Sequence, residues 1–298
     1  MTWIITSDQV NPPGDAAITY GITNAGGVFN LRSAGTVDYE IEWGDGAVES
    51  STLNTLPHTY TAGDYTLGVY SDGVYRPYFD NVTADANQIT SVAIGPGANL
   101  GTSLSRAWYG ASNMTSFACP FDVTSGVTNF NTAWRGCSSL TSFPLIDTSS
   151  GTNFGGMFFN CTSLTSIPSI DTSNGTDFTN LCKSSGITAF PAWDFSSASG
   201  TAFADAWYNC TSLTDFPANM FDTTGTLTAN AFRQAWILCA LTAQSIENIL
   251  VSLDTNGASN LNTSFAAGTN AGKSAWSAAA VTAYDNLIAK GWTITFNA

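Results

Sequence analysis

Few side chains of this sequence have the chemistry for acid–base or metal catalysis. His58 is the sole histidine, and it lies in a predicted β-rich segment, where a structural hydrogen bond is its most common role. There is no phosphate-binding loop, no G-x-S-x-G turn and no H-E-x-x-H motif. Carboxylate pairs alone can serve a glycosidase. The acidic residues here, however, recur at intervals of about 24 residues, the period of a sequence repeat. We therefore predict no enzymatic activity, no cofactor and no catalytic, cofactor-binding or metal site.

Aspartates recur at the interval of that repeat. They are Asp122, Asp147, Asp171, Asp194 and Asp222. A column of carboxylate oxygens along one edge is compatible with calcium binding. Each aspartate also precedes turn-forming residues, as in Asp147-Thr148-Ser149, where the carboxylate caps its own turn. We predict the turn role, and calcium is the alternative.

Cysteines follow the same interval. Four of them lie seven residues after the first residue of a repeat: Cys137, Cys161, Cys210 and Cys239. Cys119 and Cys182 lie off this column. Neighbouring strands are about 4.8 Å apart, so disulfides within a column are geometrically conceivable. An in-register column has no natural pairing scheme, however, and we predict buried thiols. With one histidine and no C-x-x-C pair, a zinc site is not indicated.

The repeat itself is the strongest pattern in the chain. Its copies begin at Phe79, Leu104, Phe130, Phe154, Phe178, Phe203 and Phe232, with spacings of 25, 26, 24, 24, 25 and 29 residues. A period of this size is typical of a solenoid, in which stacked units share one core. Within a unit, Phe130, Ala133, Trp134 and Cys137 have the spacing of one face of a two-turn helix. The segment 140–143 then reads as a short strand that ends at Pro144.

A column of threonines is the candidate recognition face. Each member follows the first apolar residue of a predicted strand: Thr90, Thr115, Thr141, Thr165, Thr188 and Thr214. Strands favour threonine whatever they face, so sheet propensity alone can explain the column. The functional alternative is a flat, uncharged face that binds a partner through many hydroxyl groups.

The first 78 residues have the pattern of an antiparallel β-sandwich. Val37, Tyr39, Ile41 and Trp43 alternate with acidic residues, and Gly44-Asp45-Gly46 favours a tight hairpin turn. A second strand is predicted over 65–70. The segments Trp43-Gly44-Asp45-Gly46, His58-Thr59-Tyr60 and Gly63-Asp64-Tyr65-Thr66-Leu67 resemble the motifs of PKD (polycystic-kidney-disease) domains. This resemblance implies an immunoglobulin-like sandwich that acts as a spacer or binding module.

The repeats resemble a second family. Met157-Phe158 through Ser166, followed by Asp171-Thr172-Ser173-Asn174, is similar to the M-F-x-x-C-x-S-L-T-S and D-T-S-N-V-T segments of BspA-like leucine-rich repeats of bacterial surface proteins. The resemblance covers about residues 79–240. After it, Ile246, Ile249, Leu250 and Leu253 form a helical stripe, a second helix is predicted over 276–290, and a closing strand follows Gly291.

Together these patterns predict a mixed β and α/β fold. Residues 1–78 are expected to form an immunoglobulin-like (PKD-like) β-sandwich with an N-terminal lead-in that serves as the attachment end. Residues 79–240 are expected to form a leucine-rich-repeat-like solenoid, and residues 241–298 its C-terminal α/β cap.

Composition narrows the partners. Eight basic against 22 acidic residues give a net charge of −14, which disfavours nucleic acid and anionic membranes. No run of about 20 apolar residues indicates membrane insertion, and no secretory signal is visible. Combined with both resemblances, this implies a bacteriophage structural protein, made in the host cytoplasm and located in the extracellular virion.

Within the virion, the chain is expected to be a fibre, a tail adhesin or a capsid decoration that mediates adhesion and host attachment. The N-terminal region, with Pro12-Pro13, would contact other virion proteins, and the solenoid would contact a host-surface glycan or protein. The sequence is compatible with a homo-oligomer as well as with a monomer. The alternative is a bacterial cell-surface adhesin, and the remote alternative is a glycoside hydrolase.

Overall fold

The computed structural model describes residues 17–34, 38–71, 73–79 and 83–297. Two long antiparallel strands form the centre of its main sheet: β1 (Ile18–Arg32) pairs with β4 (Thr55–Tyr70) from Ile18 opposite Val69 to Arg32 opposite Thr55. Apolar residues alternate along β1, where Ile18, Tyr20 and Ile22 are buried, and this alternation is what a half-buried strand requires.

Four shorter strands complete a single mixed sheet. They are β2 (Tyr39–Glu42), β3 (Val48–Ser51), β5 (Ile89–Ile94) and β6 (Ser116–Ala118), and the order is β3-β2-β4-β1-β5-β6. All pairs are antiparallel except β5 with β6. The short helix α1 (Thr83–Ala86) precedes β5. The sheet therefore includes two strands that follow residue 79.

The predicted β-sandwich is wrong. Strands lie over 39–42 and 55–70, but among the described residues they belong to one sheet, and no second sheet faces them. The buried face instead packs against apolar side chains outside its strands, such as Phe79 between β4 and β5, whose ring lies 6.3 Å from Tyr20 and 6.4 Å from Phe29. Val37, which was assigned to the first strand, lies outside the described residues.

The repeats, residues 104–239, form an irregular stack that we call the repeat stack. Backbone N–H groups alternate between two kinds of partner. The N–H groups of Phe130, Thr132, Trp134 and Gly136 donate to carbonyls of the next copy, whereas those of Ala133, Arg135 and Cys137 donate to carbonyls three residues earlier. Isolated parallel bridges, such as Asn129 with Asn153, join successive copies.

The predicted leucine-rich-repeat solenoid is also wrong. The expected helix over 130–137 is a run of turns, and the expected strands at Leu140, Leu164 and Leu213 are irregular. The reason is left-handed backbone at the third and seventh residue of each copy, for example Thr132 (φ 54°) and Gly136 (φ 78°). A left-handed residue interrupts the α-helical hydrogen-bond series. The apolar spacing at i, i+3, i+4 and i+7 is present as burial, but not as a helix.

The C-terminal segment contains the two longest helices of the described chain. These are α2 (Ala243–Asn256) and α3 (Ala278–Ala289), capped at their N-termini by Thr242 and Ser277. Between and after them, β7 (Asn262–Phe265) and β8 (Thr293–Phe296) form a two-stranded parallel sheet. Apolar side chains from β1 to β8 belong to one continuous core. No helix in the described ranges is both long and apolar enough to cross a membrane.

Candidate functional site

The structure arranges the predicted threonine column in two groups. Thr90 lies in β5, and its carbonyl accepts both the backbone N–H (2.9 Å) and the hydroxyl (3.2 Å) of Thr115. The same double contact joins Thr188 to Thr165, at 3.1 and 3.4 Å, and Thr214 to Thr188, at 2.9 and 3.1 Å. In the described part of the chain, no such contact joins Thr141 to either group.

These contacts change what the column can offer a ligand. The hydroxyls of Thr115 and Thr188 donate to the backbone, and that of Thr214 lies 3.1 Å from the Thr188 carbonyl and 2.8 Å from Oδ2 of Asp215, so these oxygens are left as acceptors. Thr115, Thr141, Thr165 and Thr188 are exposed, while Thr90 and Thr214 are half-buried. The threonine column as a recognition face stays a prediction, and its hydroxyls also fasten successive copies together.

Two further threonine columns were missed in the sequence. Thr128, Thr152 and Thr176 each donate a hydroxyl to the carbonyl of the corresponding threonine one copy earlier, at 3.1 Å. Thr124, Thr148 and Thr172 are buried and donate to the carbonyls of Asp147, Asp171 and Asp194. Their regular spacing of about 24 residues was the available signal. Threonine hydroxyls thus form a general contact between copies.

The periodic aspartates lie at turns. The Oδ1 atoms of Asp147, Asp171 and Asp194 accept the backbone N–H two residues later at 2.8–2.9 Å. At Asp171 the backbone N–H and then the hydroxyl of Ser173 lower the carboxyl pKa. Asp222 instead accepts the Ser252 hydroxyl. No group of three or more histidine, cysteine, aspartate or glutamate side chains in the described residues is arranged to hold a metal ion.

All six cysteines are free, and five are buried. The thiols of Cys137, Cys161, Cys210 and Cys239 each donate to a main-chain carbonyl of the preceding copy at 2.9–3.3 Å. Burial raises the pKa of the Cys161 thiol to about 12 and that of Cys210 to about 11. These groups therefore stay protonated near neutral pH, and a protonated thiol is a poor nucleophile.

His58 has a structural environment. Its Nε2 lies 2.8 Å from Oδ2 of Asp45, and its ring stacks on Trp43 with centroids 4.4 Å apart. The hydrogen bond to His58 is the main cause that lowers the Asp45 carboxyl pKa. The Tyr60 hydroxyl donates to the Trp43 carbonyl at 2.8 Å. Tyr60 in turn stacks on Tyr65 at 4.3 Å, so side chains of the three motifs around Trp43, His58 and Tyr65 contact one another.

A row of alternating aromatic and basic side chains crosses five copies of the repeat. It consists of the sixth residue of each copy, namely Tyr109, Arg135, Phe159, Lys183 and Tyr208, and we call it the cation–aromatic row. The Arg135 guanidinium lies 5.2 Å from the Tyr109 ring and 4.1 Å from the Phe159 ring. Lys183 Nζ lies 5.8 Å from Phe159 and 4.7 Å from Tyr208. The fixed position of these residues in the repeat is visible in the sequence.

Two shallow clefts lie beside these columns. One, of about 310 Å³, is lined by Asp122 and the segment 96–101. The other, of about 250 Å³, lies beside Thr214 and is lined by Asp215, Pro217 and Gln244 among others. The one histidine, His58, lines neither cleft.

Comparisons of this chain with protein-family models, with curated proteins and with solved structures found no significant match. The resemblances to PKD domains and BspA-like repeats therefore stay predictions.

Proposed function

We propose that this chain is a non-enzymatic structural and adhesion protein of a virion, a fibre, tail adhesin or capsid decoration, whose repeat stack contacts the host surface. The observation that carries the proposal is that the reactive side chains of the described residues are engaged in structural contacts. The periodic thiols donate to carbonyls, Asp147, Asp171 and Asp194 cap turns, and His58 is held between Asp45 and Trp43. These groups support the fold, while rows of like side chains remain on the surface.

Repetition suits adhesion for a physical reason. Equivalent side chains in successive copies present the same chemistry many times along one surface. Single contacts of neutral hydroxyls contribute about 1 kcal/mol each, so binding would depend on many contacts and on many copies of the protein. A polymeric host-surface glycan or a repetitive surface protein has the matching periodicity.

The virion setting is tested by mass spectrometry of two fractions from infected bacteria. We expect the chain in purified particles at a fixed stoichiometry to other particle proteins. Recovery only in the cell envelope would contradict the proposal and favour a bacterial adhesin.

Adhesion is tested with the full-length protein. Preincubation of host cells with the purified chain should reduce particle adsorption in a dose-dependent manner, whereas an unrelated acidic protein should not. Unchanged adsorption at saturating protein would contradict a role in attachment.

The polarity of the molecule requires a full-length design as well. Deletion of residues 1–78 would remove β1 to β4, four of the six strands of the sheet, and leave β5 without its antiparallel partner. We therefore expect antibody fragments against a C-terminal tag to decorate intact particles, and fragments against an N-terminal tag to leave them undecorated. The reverse pattern would contradict attachment through the N-terminal region, which includes Pro12-Pro13 outside the described residues.

A further inference from the structure

Basic residues are concentrated in one part of the repeat. The first seven residues of the six copies that begin at Leu104 to Phe232 contain four basic residues and one acidic residue: Arg106, Arg135, Lys183, Arg233 and Asp205. The rest of the chain has four basic and 21 acidic residues. Basic residues therefore outnumber acidic ones in this part of the repeat, although the whole chain is acidic, and local charge of this kind selects and steers ligands of opposite sign.

Side-chain contacts link several of these charged residues across successive copies. Asp205 is buried and binds Lys183 Nζ at 3.2 Å and the Arg233 guanidinium at 2.7 Å. Lys183 and Arg135 lie on either side of Phe159 in successive copies. The Asp205 carboxylate is thus shared by Lys183 and Arg233. Arg135, in contrast, has no carboxylate within 4 Å among the described residues.

Arg135 is held in a geometry that suits anion binding. Its guanidinium carbon lies over the Tyr109 and Phe159 rings, and cation–π packing of this kind leaves N–H donors available for hydrogen bonds. None of these N–H donors has a hydrogen-bond partner in the described part of the chain, and the side chain is only half-buried. A guanidinium edge fixed in this way binds a carboxylate through two parallel hydrogen bonds.

The spacing of the cations indicates a polymeric ligand. Arg135 and Lys183 are no more than about 10 Å apart, because the Phe159 ring lies 4.1 Å from one cation and 5.8 Å from the other. This is about the length of a disaccharide. The half-buried Phe159 ring between the two cations adds apolar surface against which the C–H groups of a sugar ring can pack.

We propose that the cation–aromatic row binds a carboxylated polysaccharide, with Arg135 on one uronate carboxylate, Lys183 on a second, and Phe159 against the sugar between them. The inference rests on the proposed adhesion function and names its ligand class. A densely charged polyanion such as DNA is disfavoured, since its phosphates would also meet the remaining acidic surface of a chain with net charge −14.

The test measures binding of the full-length protein by isothermal titration calorimetry. The probe is alginate, a polymer of uronic acids, with neutral dextran and double-stranded DNA as comparison polymers. We expect saturable binding to alginate that weakens with added salt, and no binding to dextran. The variant Arg135→Met removes the guanidinium but keeps an unbranched side chain between the rings, and it should weaken alginate binding about 10-fold, the usual effect of losing one charge-assisted contact.

A matched control separates this site from general charge effects. Lys273 also stacks on an aromatic ring, 3.8 Å from Tyr284, but lies in the C-terminal segment. Lys273→Met should bind alginate like the wild type, and circular dichroism melting should show that both variants are folded. Equal losses in both variants, no loss in Arg135→Met, equal binding to DNA, or no binding to alginate would each overturn the inference.

The same variants separate this inference from the proposed function. If the wild type competes with particles for host cells but does not bind alginate, adhesion stands and the carboxylated ligand is wrong. If it binds alginate through Arg135 but does not compete for host cells, the site stands and host attachment is wrong.

Discussion

The six-stranded sheet and the repeat stack bury their large aromatic residues equally well but satisfy their backbones differently. Trp43 and Trp134 are both completely buried. Around Trp43, neighbouring strands are joined by continuous antiparallel pairing. Around Trp134, successive N–H groups alternate between the local turn and the next copy. Complete burial therefore does not identify the backbone structure that achieves it.

The two regions also differ at the indole N–H groups of their buried tryptophans. The Trp43 indole N–H donates to Glu49 at 3.2 Å. The indole N–H groups of Trp134, Trp207 and Trp236 are buried without a hydrogen-bond partner among the described residues. An unpaired buried donor costs about 1–3 kcal/mol, and in the repeat stack the packing of aromatic columns outweighs that cost.

The largest expected effect comes from removing an aromatic residue of the stack. Trp134 packs on Trp108 at 5.2 Å and on Phe143 at 4.7 Å. Trp134→Ala should lower the free energy of unfolding by about 3–5 kcal/mol, measured by urea denaturation, because it leaves a cavity that neighbouring copies cannot fill.

Trp134→Phe is the sharper version of this experiment. It keeps an aromatic ring and removes an unpaired N–H group, so it should cost less than half as much as Trp134→Ala. Trp43→Phe should cost about 1 kcal/mol more than Trp134→Phe, since it breaks a hydrogen bond. Equal costs at the two positions would contradict the contrast between the regions.

Glycine replacements should show a second difference. Gly44 has φ 80°, and an added Cβ would lie 2.3 Å from the Thr66 carbonyl oxygen. Gly136 has φ 78°, but its added Cβ would meet nothing closer than 3.5 Å. Gly136→Ala should cost about 1–2 kcal/mol, the penalty of left-handed backbone. Gly44→Ala should cost measurably more, because the strands must also separate.

Thermal melting of these two variants gives the measurement. Gly97→Ala is a suitable control, because no atom lies near its added Cβ and its φ is not in the left-handed range. A Gly136→Ala penalty equal to that of Gly44→Ala would show that backbone conformation alone determines both.

Alkaline pH should destabilise the repeat stack through its thiols. Burial raises the folded-state pKa of the Cys161 thiol to about 12 from 9.0. Because the unfolded thiol ionises at a lower pH than the folded one, the free energy of unfolding is unaffected by this thiol below pH 9. It falls as the pH rises above 9. At pH 9.5 we expect a loss of about 1 kcal/mol for each buried thiol.

Urea denaturation at pH 7.5 and 9.5, with reductant present, measures this loss. Cys161→Ala should be less stable than the wild type at pH 7.5, but it should lose about 1 kcal/mol less on going to pH 9.5. An unchanged pH dependence in this variant would refute the assignment of the effect to the buried thiol.

The smallest expected effect concerns the exposed pair in the sheet. His58→Ala removes the bond to Asp45 and the stacking on Trp43, and it should cost less than about 1 kcal/mol because the pair is solvent-accessible. The lowered pKa of Asp45 adds stability that is present above pH 3.8 and lost as the pH falls further. Acid titration followed by tryptophan fluorescence should therefore show a smaller transition in His58→Ala.

Sequence patterns predicted some of these features and not others. Alternation predicted the strand around Ile41, because a two-residue period has few alternative explanations. The helical stripe of Ile246 and Leu250 is buried on α2. The spacing of Phe130 and Trp134 matches a helix equally well, yet Thr132 between them and Gly136 just after them have left-handed backbone. Threonine in particular gives no local signal for such backbone.

The candidate site shows the same limit. The threonine column could be found by spacing alone, but whether its hydroxyls face a ligand or a carbonyl depends on how copies stack. The sheet topology was not accessible either, since β5 and β6 join the sheet through contacts with residues far away in sequence. Local patterns carry no information on which edge receives a distant strand.

The place of β5 has a consequence for how the chain is made. This strand pairs antiparallel with β1 and parallel with β6, and its Thr90 carbonyl receives the first of the threonine contacts. During synthesis the strands β1 to β5 leave the ribosome before the later copies. We expect them to act as a seed, and each copy to add on the side of its β5 edge as it emerges. The repeat stack would then assemble from its N-terminal copy toward its C-terminal copy. Copies without a folded neighbour would exist only at the end nearest the ribosome.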